Sequence, residues 1–410
     1  MARRPRFQVD RESATRFLVY LQPKIIDGFA RPLPLYVNAR PGTIAAGPDD
    51  GNIRVIDAKE KEPYRDDRTW NTRWKPPFDG PAYEPVAPRE GHFDHVRPGS
   101  RPFAAAATFA SIRYALDVWS HYLGGPVRWY FADTYDHLEV IPRIGSSNAW
   151  SGEGFLEFGF RDFPLNTDAY CESFDTVTHE AGHLIFKSVV GNPVEDKKTI
   201  EYRAHEEACA DLASVVTSLH VDQIVDHVLA GTQGRLHTAN PLSRIGEYRE
   251  GHRGDHGDDR EARKLFNHET MELTDPAWFD YDTHGYSQPF SGGAYDVLVA
   301  IYQCNLMDRK VAPEVASARH HPSWNTLTEV QEDFPRLYAG AAPEFKEALL
   351  DARDSFATLL AHAWPKLVPD GFSYGQAVAN LITADREVNG GQYGPILRAL
   401  FDQRGITPRV

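Results

Sequence analysis

The segment Val177-Thr178-His179-Glu180-Ala181-Gly182-His183-Leu184-Ile185 constrains the fold more than any other. Apolar Val177, Leu184, Ile185 and Val189 surround it and mark a buried helix, yet its middle carries three ionisable side chains. Residues four apart share one helix face, so His179 and His183 point the same way. A polar face inside a packed core needs partners, because a buried polar group without one is costly. The core around this helix is not the only one. The chain has 410 residues, and a single core stops growing at about 250 to 300. Two lobes are expected: residues 1–190, ending in this helix, and residues 191–410.

Hydrophobic periodicity sets the class of each lobe. Thr15 to Ile26 is apolar enough for a helix or strand, and Pro32 to Ile56 reads as short extended pieces split by Pro and Gly. Lys59 to Pro102 has no period and is expected to be irregular, held inward by Trp70, Trp74, Phe78 and Tyr83. Phe109, Ile112, Ala115, Leu116, Trp119 and Leu123 recur at three and four and predict a core helix, stopped by Gly124-Gly125-Pro126. Val127 to Phe131, Leu138 to Ile141 and Gly154 to Phe160 read as strands. Phe174 to Gly191, Ile200 to Val221 and nearly everything beyond Gly292 read as helix. The expected class is α+β, with a sheet in the first lobe and a mostly α-helical second lobe. The charged run Arg249 to Lys264 is expected to be a solvated loop.

Charge and cysteine content exclude several partners. The net charge of −14 repels phosphate backbones and anionic lipid heads, so neither nucleic acid nor a membrane surface is an expected partner. No run approaches the 18 or more apolar residues of a membrane helix, and no apolar stretch follows Arg3, Arg4 and Arg6. Cys171, Cys209 and Cys304 are odd in number and far apart, which fits neither a disulfide framework nor a paired-cysteine metal site. A cytoplasmic location is the expectation.

His179 to His183 matches H-E-x-x-H, the spacing with which two imidazoles close on one zinc ion while the glutamate stands beside it. A catalytic zinc site takes a third protein ligand and keeps one position for water. The residue six beyond His183 is Val189, which rules out a third histidine there. On the next helix, Glu207 and Asp211 stand one turn apart. Glu207 can reach the metal while Asp211 accepts the spare N–H of a ligand histidine. The rival ligands Glu201 and Glu206 have His205 and Ala210 at the fourth position on, and neither is a carboxylate. Asp211 lies among Ala210, Leu212, Ala213 and Val215, company in which a carboxylate has to be paired.

With these residues the chain resembles the gluzincin metallopeptidases, and within them the thermolysin family. The likeness rests on Asn148-Ala149-Trp150, on Val177 to His183, on Glu207 to Asp211 as E-x-x-x-D, and on Phe372 to Ile406, together spanning roughly residues 105 to 406. It implies a two-lobed zincin whose first lobe has a mainly antiparallel sheet, with zinc in the cleft between the lobes. Asn148 and Ala149 are implied as the edge strand that binds substrate backbone. The family also supplies, as the donor that stabilises the tetrahedral oxyanion, a histidine shortly before a Ser-Gly that opens a helix. Here Gln288 occupies that position, and His284, then Tyr286, are the expected stand-ins on what Pro289, Gly292 and Gly293 make look like a shaped loop. The His183 to Glu207 gap is longer than the family's, which implies an extra loop near Gly191 to Lys198.

The expected function is hydrolysis of peptide bonds in a peptide or protein, with zinc on His179, His183 and Glu207 and with Glu180 as general base. Two alternatives belong to other classes: a zinc hydrolase or lyase acting on a small non-peptide molecule, and an inactive zinc-stabilised interaction protein. No G-x-S-x-G is present, and Cys209 reads as a small buried thiol.

Overall fold

Buried and half-buried side chains alternate along Thr15–Val19 (β1), which pairs antiparallel with Leu33–Val37 (β2) from Thr15↔Val37 to Val19↔Leu33. This hairpin belongs to the first of two units into which the chain divides. The computed structural model describes residues 6–24, 26, 28–64, 75–245, 263–272 and 283–409. Of these, residues up to 121 and 125–188 form the first unit; 122–124, 189–245 and those from 263 onward form the second. Both expected classes are met, since strands and helices share the first unit and helices dominate the second.

In the first unit, Ile53–Val55 (β3) is followed by the helix Arg101–Leu123 (α1) and then by Leu138–Ile141 (β4), Ala149–Gly152 (β5), Phe155–Phe158 (β6) and Phe174–Val190 (α2). The sheet runs β3-β4-β6-β5. It is mixed, not mainly antiparallel: β3/β4 and β4/β6 are parallel, and only β5/β6 is antiparallel. The chain between β3 and β4 passes through α1, and a strand returning after a crossover helix lies parallel. β5 and β6 form a hairpin over Glu153-Gly154, where Gly154 has φ of +82° and any Cβ would sit 2.5 Å from the Tyr135 ring. This leaves β5 at the sheet edge.

The segment 127–131, expected as a strand, is not one. Its alternating aromatics pack as rings instead: Trp129 stacks on Phe131 at 5.6 Å, and Trp129 Nε1 donates to the Asn52 carbonyl at 3.2 Å. α1 lies against the first hairpin, where Phe17 stacks between Phe93 (4.8 Å) and Phe109 (5.7 Å), all three fully buried. Each such ring contributes roughly 2–3 kcal/mol of burial. The stretch from 59 to 100 carries no named helix or strand among its described residues, as expected. Phe78 packs on Ala58, Ile141, Ile144 and Trp150. Tyr83 does not turn inward; it stays exposed beneath the cations of Lys59 and Arg101. Trp70 and Trp74 lie outside the described residues.

Two carboxylates on the sheet fasten this irregular stretch. Glu157 of β6 accepts from the Tyr64 amide at 2.8 Å and pairs with Lys61, while Glu139 of β4 accepts from the Tyr64 hydroxyl and from the Phe78 amide. Burial pushes Glu157 up and Lys61 down, and each is opposed by the other's charge. Losing either partner would strand a buried charge. The pair therefore ties residues 61–64 to the strand that neighbours β5.

In the second unit an irregular stretch, 191–199, containing one short turn at Glu195–Lys197, lies where the spacing implied a loop. Ile200–Ser218 (α3) follows, its first turn capped by Thr199 Oγ1 accepting from the Tyr202 amide at 3.1 Å. Then come Asp222–Thr232 (α4), the short antiparallel pair Arg244–Ile245 (β7) and Arg263–Lys264 (β8), Thr283–Asp308 (α5), Ala316–His320 (α6) and Trp324–Val330 (α7). Phe334–Ala363 (α8), Tyr374–Asn389 (α9) and Gly394–Gln403 (α10) close the chain.

The shaped loop expected around His284 to Gly293 is in fact the start of α5. Pro289 forfeits only the bond to the Gly285 carbonyl, early in the helix. The glycines have another purpose: a Cβ on Gly292 would fall 2.6 Å from Arg404 Nη1, and one on Gly293 2.9 Å from the Phe401 ring. They let α10 press against α5, where buried Arg404 donates to Asp296 at 2.6 Å and to Asn267.

Candidate metal centre

α2 is buried from Phe174 through Phe186. At its start the Asp175 carboxylate accepts from the Thr176 amide at 2.8 Å and from Ser173 Oγ, placing negative charge where the helix dipole favours it. One and a half turns on, His179 is 3% exposed, Glu180 9% and His183 6%. The imidazoles of His179 and His183 meet edge to face, with Nε2 to Nε2 at 3.1 Å. Two nitrogens bound to one tetrahedral zinc at about 2.0–2.1 Å stand roughly 3.3 Å apart. The two rings thus converge as ligands of a single ion would.

α3 presents its own acidic residues differently. Glu201, one of the rival ligands, is committed elsewhere, since Oε2 accepts from the amide of Tyr374 at the start of α9. Glu207 is half-buried, and His284 Nε2 lies 3.3 Å from its Oε2. Asp211 is fully buried, and its Oδ1 accepts from Arg263 Nε at 2.7 Å. His205 is sealed between the rings of Phe290, Phe372 and Tyr374, and burial pushes its pKa down to about 3, so it is neutral across the ordinary pH range. Cys209, 3.4 Å from His205 Nε2, is the buried thiol expected, and burial pushes it up. None of the three cysteines is in a disulfide.

Arg263 is the residue that sequence reasoning missed. It stands in the charged run expected to be solvated, yet its side chain is only 10% exposed, against Asp211. The run from 249 to 262 lies outside the described residues. The signal available was Asp211 itself, an acid among apolar neighbours that has to be matched by a donor.

Tyr286 and His284 share the first turn of α5 but differ in surroundings. The Tyr286 ring stacks on Tyr374 at 5.7 Å and is 8% exposed, and burial with nearby Glu201 pushes its phenol up to about 12. The His284 side chain is 55% exposed. In the first unit, the Asn148 carbonyl accepts from the Gly159 amide at 2.8 Å, towards β6. By alternation, the N–H and C=O of Ala149 face the outer edge of β5, which pairs with no other named strand among the described residues, and Asn148 Oδ1 accepts from that N–H at 2.9 Å.

Among the described residues, one group of three ligand-type side chains is able to hold a metal ion: His179, His183 and Glu207. Two imidazole nitrogens and a carboxylate oxygen are a donor set that zinc accepts, with room left for water. Among the described residues, no helix is long and apolar enough to cross a membrane.

Neither a protein family nor a curated protein matches the sequence. Among solved structures, the chain is similar to the precursor of protealysin, a metalloproteinase from Serratia proteamaculans, with a TM-score of 0.46 and 10% sequence identity, over 81% of this chain and 84% of that one.

Proposed function

We propose that the protein is a zinc metallopeptidase in which His179, His183 and Glu207 hold the ion and Glu180 is the general base. The observation that carries this reading is the convergence of two buried imidazole nitrogens, 3.1 Å apart, on a helix that also bears Glu180. When bound there, zinc supplies a Lewis acid for the substrate carbonyl and brings the pKa of water towards ~7.

The rest falls to the chain. Glu180 accepts the proton of the attacking water and returns it to the departing amine, so one carboxylate serves both halves of hydrolysis. Asp211, held by Arg263, is the acceptor proposed to fix a ligand histidine's tautomer. Ala149, next to an Asn148 whose carbonyl is committed to Gly159, binds the substrate as an added strand, which suits an extended peptide better than a compact small molecule. Tyr286, which keeps its proton well past neutrality, is the donor proposed for the oxyanion. His284 faces Glu207 instead.

The test is a peptide-library digest by the zinc-loaded protein, with and without chelator, beside Glu180→Gln. Cleavage that chelator abolishes, and that Glu180→Gln reduces by ~10² or more while one zinc per chain is retained, is the expected result. Zinc binding with no peptide cleavage, joined to turnover of a small ester or amide, would move the chain to a non-peptide hydrolase. Full activity in Glu180→Gln would remove that residue from the mechanism.

A further inference from the structure

On α3 and α5, His284 Nε2 lies 3.3 Å from Glu207 Oε2, in contact but not aligned as a hydrogen bond. A carboxylate has two oxygens and about four lone-pair sites, so one oxygen can take a histidine N–H while the other remains for a metal. A glutamate side chain turns about three bonds, and a ligand that does so loses entropy when it is fixed. A partner that fixes it beforehand makes the ion easier to bind.

We propose that His284 is a positioning residue for the metal: a turn of its ring brings an N–H onto Oε2 of Glu207, so that Oε1 is presented as the third ligand. The inference rests on the zinc reading above, and it differs from the role the sequence suggested for this histidine, which was donation to the oxyanion. The placement explains why a histidine four residues upstream of the expected position is still of use. Helix α5 carries His284 on its first turn, one residue after its start at Thr283, and Glu207 projects from the middle of α3. α3 and α5 pack along each other within one unit, so the contact is set by two helices and not by a loop. A helix-borne contact holds a ligand more narrowly than a loop-borne one. The half-exposed histidine also leaves one edge in solvent, which lets it turn without disturbing the core.

The experiment uses the full chain and reads zinc affinity by competition with a chromophoric chelator, in the wild type, His284→Ala, His284→Gln and His179→Ala. His284→Ala is expected to weaken zinc by about 10- to 100-fold, the usual effect of losing a group that supports a ligand. His284→Gln restores an N–H donor and is expected to recover most of that loss. A structural role alone would not make the amide variant recover affinity. Because the histidine is largely exposed, thermal midpoints without metal should agree among the variants. Unchanged zinc affinity in His284→Ala, with kcat reduced, would overturn the proposal and return His284 to the oxyanion. Failure of His284→Gln to recover affinity would also overturn it. Failure of the underlying zinc reading looks different: the wild type would bind no zinc, or His179→Ala would bind it as well as the wild type.

Discussion

Arg263 Nε donates to Asp211 Oδ1 at 2.7 Å, and the carboxylate is fully buried while the guanidinium is nearly so. The two residues lie 52 positions apart and join α3 to the short strand β8. Taking away one member of such a pair leaves the other charge buried alone, at a cost of about 3–5 kcal/mol. Arg263→Met is therefore expected to lower the free energy of unfolding by an amount of that order, read as a lower urea midpoint at unchanged m, with Arg263→Lys intermediate because lysine cannot present a planar fork. Equal midpoints for wild type and Arg263→Met in urea titrations would show that the pair adds nothing to stability.

Tyr286 is the phenol proposed as the oxyanion donor, and burial, with Glu201 nearby, pushes its pKa up to about 12. Tyr286→Phe preserves the stack on Tyr374 and removes only the hydroxyl. Loss of one oxyanion donor costs ~10² in kcat. The expected signature is a fall in kcat of that order with KM and zinc content unchanged. An unaltered kcat would exclude the phenol from the mechanism.

The buried helix that brings His179 and His183 together was legible in the sequence because their spacing, and the apolar residues beside them, state both the geometry and the burial at once. Glu207 was legible for the same reason: Asp211 four residues on marks one helix face. What was illegible depended on pairing across long gaps. Parallel β3 and β4 are separated by α1 and the irregular stretch, and no local period carries that register. Residues 127–131 alternate like a strand because Trp129 and Phe131 must stack, not because the backbone pairs. The start of α5 was read as a loop because Pro289, Gly292 and Gly293 disfavour helix locally. The close approach of Arg404 and Phe401, which calls for those glycines, is a tertiary fact. Arg263 was hidden in a charged run because composition describes the average residue, and one member of the run can be buried.

Asp162 shows how pH acts on the first unit. Burial opposes its ionisation, but the Thr167 hydroxyl and the amides of Thr167 and Asp168 all donate to its carboxylate and hold it below the usual range. A depressed folded value means that the unfolded chain takes up the proton first. The stabilising contribution is thus complete above the unfolded pKa of ~3.9 and is lost as pH falls through the lower folded value. Asp162→Asn should be less stable than wild type by a constant amount above about pH 5, and the gap should close below about pH 4. Thermal midpoints measured from pH 6 to pH 2 decide the matter; a gap that widens on acidification would contradict the sign.

Ala149 offers the last test, because the outer edge of β5 is the proposed seat of substrate. Its carbonyl faces outward, and its N–H already donates to Asn148 Oδ1. An arriving peptide therefore finds an acceptor ready at Ala149, whereas the donor must first be released by Asn148. Strand addition relies on main-chain hydrogen bonds, so the substrate N–H that meets the Ala149 carbonyl matters irrespective of side chains. In a series of peptides methylated at one backbone nitrogen at a time, one position outside the scissile bond should raise KM about tenfold with kcat nearly constant, the pattern of lost uniform binding at about 1.4 kcal/mol. Asn148→Ala frees the Ala149 N–H and should lower KM for unmodified peptides, while leaving the methylation-sensitive position where it was. A series in which every such N-methyl peptide is cleaved like its parent would show that the peptide does not lie on this edge.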